Sequence, residues 1–125
     1  MTIVTAEELT EFRSQVTDNP EALKALKVIE DCEGDLEDAA MVLAIRVGQQ
    51  PDIANADWLE GLAKKCRAVI CQDEYRDDLV NGNLGTVIAN LTTAKLCPAI
   101  LVTPVLVYVL QKGVNKFCQP LDSIT

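Results

Sequence analysis

Between Lys95 and Lys112 the chain carries sixteen consecutive uncharged residues, Leu96 to Gln111, reading LCPAILVTPVLVYVLQ. Such a segment must be hidden, either in a protein core or in lipid. A spanning helix wants about 20 apolar residues, and stretches of 10–14 are more often buried core helices. Pro98 and Pro104 interrupt this one, and Gln111 ends it. The expectation is therefore a central buried helix. The competing reading is a peripheral or single-span membrane-associated protein using residues 96–111, with the flanking lysines reaching the interface. The flanks carry no strong Lys or Arg bias that would orient a span.

A second ambiguity lies inside the segment. Ile100, Val102, Thr103, Val105, Val107 and Val109 are β-branched, and Tyr108 also favours strands. Two short strands, 99–103 and 105–110, compete with the helix. Thr103-Pro104 is a poor hairpin turn, however, and no other segment supplies a third strand.

The remaining chain reads as helices. Thr5 and Glu8 form a capping box ahead of Leu9, Phe12 and Val16. Asn19-Pro20 opens a second helix with Leu23, Leu26 and Ile29 inward, stopped at Gly34. Asp35 caps a third, whose stripe is Leu36, Ala40, Leu43 and Val47. Met41, Val42, Ala44 and Ile45 broaden that stripe until burial on most sides is expected, and Gly48 ends the helix. After a loop centred on Pro51, Asp52 or Asn55 caps a fourth helix with Trp58, Leu62, Cys66, Val69 and Ile70 inward. It runs to Leu79 or bends near Cys71. Leu84, Val87, Ile88 and Leu91 mark a fifth. The sixth starts at Pro98. Pro104 should kink it, and Thr103 is placed to bond back to the preceding turn. Phe117 and Leu121 are possible anchors in a tail that Pro120 breaks.

The fold class expected is thus all-α: a compact bundle of five or six helices around a very apolar C-terminal helix. It forms a single domain over residues 1–125, with 119–125 a frayed tail. Helices one, three and four should pack the apolar helix. Leu26, Leu43, Leu62, Val69, Ile88, Leu101 and Leu106 should be core.

Charge narrows the partners. The net charge is −8, and it is uneven: residues 1–60 hold four basic and fourteen acidic side chains, residues 61–125 seven basic and five acidic. An acidic front half repels phosphate backbones, so nucleic acid is not expected as a partner. The five cysteines, Cys32, Cys66, Cys71, Cys97 and Cys118, follow an N-terminus without a signal-peptide pattern. Mostly buried free thiols in a reducing cytoplasm are expected. Cys66 and Cys71 are spaced for neither a redox pair nor a metal knuckle.

Catalytic signals are weak. There is no histidine to serve as base or zinc ligand. Lys64 and Lys65 beside Cys66 are the only local suggestion of a lysine base. Glu30, Asp31, Glu33, Asp35, Glu37 and Asp38 alternate oxygens as a calcium loop does. Counting from Asp31, though, Leu36 stands where glycine is needed and Val42 where glutamate is needed. The glycines of NGNLG, 82 and 85, lack the lysine and strand context of a phosphate loop. No catalytic, cofactor or metal residue is assigned. The expected function is a cytoplasmic protein–protein interaction or regulatory module, with a metal-dependent or cysteine-based enzyme as a minor alternative. Asp73, Glu74, Asp77 and Asp78 are the candidate protein-contact residues. Their i,i+4 like-charge pairs repel, and a basic partner surface would relieve that repulsion. Any apolar face left uncovered on the last helix should close by forming a homodimer.

Overall fold

The computed structural model describes residues 2–49, 55–95 and 97–122. Among these the protein is all-α, with helices α1 (Ala6–Gln15), α2 (Pro20–Asp31), α3 (Leu36–Arg46), α4 (Asn55–Lys65), α5 (Arg67–Ile70), α6 (Asp73–Val80), α7 (Leu84–Ala94), α8 (Ala99–Lys112) and α9 (Val114–Asp122). That is nine helices rather than five or six, and the apolar helix is not the last. It is the hub, packed by α2, α3, α4, α7 and α9. The expected loop at Pro51, the alternative cap Asp52, residue Leu96 and the end of the tail at 123–125 lie outside the described residues.

The first three helices start where their capping residues place them. Thr5 Oγ1 accepts from the Glu8 amide at 3.1 Å, and Glu8 Oε1 accepts from the Thr5 amide at 3.0 Å. Asn19 Oδ1 accepts from the Ala22 amide at 3.1 Å, with Pro20 in the first turn. Asp35 Oδ1 accepts from the Asp38 amide at 3.1 Å. Each side-chain oxygen satisfies an amide that has no partner within the helix.

The N-terminal segment is zipped to the α2–α3 turn. Val4 N donates to Gly34 O at 2.8 Å, and Leu36 N donates to Thr2 O at 2.9 Å. Gly34 has φ +85°, and a Cβ there would fall 2.4 Å from Val4 O, so glycine is required on both counts. Glu37 is buried at 6 % exposure, and its carboxylate accepts from Thr2 N (2.9 Å) and Thr2 Oγ1 (2.7 Å). The only β-type pairing among the described residues is the isolated Ile3–Asp35 bridge.

In α8, residues 100–107 and 109 are buried, so the segment read as possible strands is one helix enclosed along most of its length. Burying each Val, Leu or Ile side chain stabilises by about 1.5–3 kcal/mol, which explains why the most apolar segment takes the centre. The helix continues through Pro104. Thr103 does not bond back: its hydroxyl is buried without a hydrogen-bond partner. The main neighbour is α2 rather than α1. Helix α1 meets the far end of α8, where Gln111 Nε2 donates to Glu8 Oε2 at 2.8 Å.

Leu26, Leu43, Ile88, Leu101 and Leu106 are core as expected, but Leu62 and Val69 are half-buried. Cys66 and Ile70 are buried as expected, while Leu59 and Ala63 take the inner places expected for Trp58 and Leu62. Nor does one helix run from 55 to 79. Continuing the face of Ile70 by three, four and seven residues would bury Asp73, Glu74 and Asp77. Instead the backbone turns extended at Gln72 (ψ 142°), and α6 restarts with those carboxylates exposed and Leu79 buried. Helix α3 is more open than expected, with Val42, Ile45 and Val47 exposed.

The tail is also helical. Gly113 (φ +100°) ends α8, and α9 buries Val114, Phe117 and Cys118 at helical spacing. Pro120 does not break it. Lying near the C-terminal end, it leaves only the carbonyl of exposed Lys116 without its i+4 donor.

Candidate functional site

Helix α6 presents the acidic row. Asp73 and Glu74 occupy its first turn, where they complement the helix dipole in the absence of a side-chain cap from Gln72. Asp73, Glu74 and Asp77 are exposed and Asp78 is half-buried. The four line one helix rather than converging on a cavity, and among the described residues no cation pairs with them. Arg76, from the same helix, turns to α9, where its Nε and one terminal nitrogen each donate to Asn115 Oδ1 at 3.2 Å.

The base of this helix is stapled. Cys71, the C-cap of α5, forms a disulfide with Cys118 of α9, with Cα atoms 5.7 Å apart. This corrects the expectation of free thiols throughout. Sequence spacing carried no hint of the pair, because the two cysteines are 47 positions apart and meet only when α9 folds back. Cys32, Cys66 and Cys97 remain free. Cys66, at the other end of α5, lies against Cys97. The hydrogen bond from the Cys97 thiol pulls the Cys66 pKa down, against burial and with help from Lys65. The same bond, with burial and the neighbouring Cys66 charge, pushes Cys97 well up. Cys32 is also raised, by burial and then by Asp38, Asp35 and Asp31. No three His, Cys, Asp or Glu side chains among the described residues gather as a metal site.

A feature of opposite charge lies where α4, α5, α8 and α9 meet. Lys64, Arg67, Lys112 and Lys116 line an open recess of about 500 Å³ with Glu60. Glu60 Oε1 is shared by Lys64 (3.4 Å) and Lys112 (3.8 Å). The Arg67 guanidinium lies 4.8 Å from the centre of the Phe117 ring, and Lys112 Nζ lies 5.9 Å from that of Tyr108. The positive balance of residues 61–125 was the one sequence signal for this cluster. Its members are too far apart in sequence to be recognised as a set.

Another recess, of about 610 Å³, separates the α1–α2 turn from the start of α7 and is lined by Asp18, Asn19, Asn83 and Thr86 among others. Gly85 lets the two parts meet: a Cβ there would sit 2.5 Å from Gln15 O. The Gln15 side chain fills one position by accepting from Leu84 N at 2.6 Å. No helix among the described residues is long and apolar enough to cross a membrane. No family model, curated protein or solved structure matches the chain.

Proposed function

We propose that the protein is a non-catalytic interaction module whose α6 face, Asp73, Glu74, Asp77 and Asp78, receives a basic protein surface. The observation that carries this reading is the row of carboxylates on a helix held at its entry and at its middle. Cys71–Cys118 fixes its entry, and Arg76–Asn115 ties its middle to α9. A rigid row of like charge loses little conformational freedom on binding and gains from charge complementarity in encounter rate and selectivity.

Self-association is part of the proposal, but its surface shifts. The apolar helix α8 is largely covered, with only Tyr108 and Leu110 of its apolar side chains beyond Ala99 half-buried, whereas Val42, Ile45 and Val47 at the end of α3 are exposed. Contact of residues 96–111 with lipid would require α8 to leave five packed neighbours. For compartment, a reducing cytoplasm would keep Cys71 and Cys118 as thiols, and a lasting bond suits an oxidising setting.

The test replaces Asp73→Asn, Glu74→Gln, Asp77→Asn and Asp78→Asn together. The variant should keep the wild-type circular dichroism spectrum and lose capture of partners from native extract, with the loss mimicked by raised salt. An unchanged set of captured proteins would refute the assignment.

A further inference from the structure

Four of the seven basic side chains in residues 61–125 meet in one place. Lys64 lies in the last turn of α4, Arg67 opens α5, Lys112 ends α8 and Lys116 sits in the first turn of α9. Against them stands one acidic lining residue among those described, Glu60, already divided between two lysines. The recess therefore holds an excess of three positive charges in a protein of net charge −8.

Helix dipoles explain part of this and leave the rest. Lysines at the C-terminal ends of α4 and α8 are favourably placed, but a lysine in the first turn of α9 opposes that helix's dipole. Arg67 has no acidic partner among the described residues. Its guanidinium is held by stacking on Phe117, and its Nε is sealed from solvent without an acceptor. Among the described residues, then, neither Arg67 nor Lys116 is positioned by an ion pair, yet both face the same space. A volume of about 500 Å³ suits a small molecule rather than a polymer chain. An Arg fork with several Lys point charges around it is the chemistry that recognises phosphate and carboxylate groups.

We propose that the recess formed by Lys64, Arg67, Lys112 and Lys116 binds a small molecule carrying several phosphate or carboxylate charges. The site is separate from the acidic face of α6, and the two readings stand or fall independently.

Calorimetric titration at low ionic strength, with inorganic pyrophosphate in one arm and citrate in the other, tests this. At least one probe should bind saturably with one site per chain, and the tighter arm assigns the ligand group. Lys112→Gln with Lys116→Gln should weaken that binding about tenfold or more. Glu60→Gln, which releases two lysines, should strengthen it. Lys24→Gln with Lys27→Gln, on α2, removes the same charge elsewhere and should leave the affinity within about twofold. Absence of saturable binding in both arms overturns the proposal. So does a loss in the α2 control equal to that in the recess variant, or an affinity that Glu60→Gln fails to raise.

Discussion

Removing the Cys71–Cys118 cross-link, by Cys71→Ala with Cys118→Ala or by reduction, should destabilise the protein mainly by freeing the unfolded chain. The two cysteines are separated by 47 residues. In the chain-entropy treatment, closing a loop of that length in the unfolded state is worth about 4 kcal/mol at 25 °C, within a typical range of about 2–4. Residual structure in the unfolded chain lowers the figure. The alanine variant adds the loss of packing at Cys118, which is fully buried. Unfolding entropy near 2.1 cal/mol/K per residue gives about 0.26 kcal/mol/K for this length. A loss of about 2–4 kcal/mol then lowers Tm by about 8–15 °C. Thermal and urea melts with and without reductant measure this. Thiol titration in denaturant should count three thiols in never-reduced protein and five after reduction, since three cysteines are free. Five thiols before reduction would refute the pairing. Three rising to five with no change in Tm would refute the reasoning that the bond constrains the unfolded chain.

Thr103→Val should stabilise the protein by about 1 kcal/mol in urea melts, because it removes a buried hydroxyl without a partner while keeping the branched shape. A comparable destabilisation would mean the hydroxyl is satisfied. Glu8 is held below its ordinary pKa of 4.5, first by the Thr5 backbone amide and then by Gln111 and the Thr5 side chain, against burial. A lowered folded pKa means its contribution is present above the unfolded value and disappears as pH falls through the folded one. The Tm gap between wild type and Glu8→Gln should therefore be open at neutral pH and close progressively below about pH 4.5. A gap that widens on acidification would contradict the sign.

What could be read from the residues alone was local. Thr5 with Glu8, Asn19 with Pro20, and Asp35 place helix starts because a cap acts on amides two or three residues away. Leu84, Val87, Ile88 and Leu91 mark the buried face of α7 because helical spacing puts them together before any tertiary contact forms. The burial of residues 100–107 followed from composition, as so apolar a run has few other places to go. The break at Gln72 was partly legible, since extending the Ile70 face would have buried three carboxylates. A bend near Cys71 was one of two readings the pattern left open, because local spacing alone does not decide between a bend and a continuous helix. Helix α9 had its signal in Val114, Phe117, Cys118 and Leu121, but Pro120 concealed it. A proline in a last turn is tolerated once packing of Phe117 and Cys118 outweighs one lost hydrogen bond. The Cys71–Cys118 bond and the basic recess belonged to tertiary structure alone. Their members lie on separate helices up to 52 residues apart, as Lys64 and Lys116 do. Only the packing of α4 and α9 against α8 brings such residues within reach of one another.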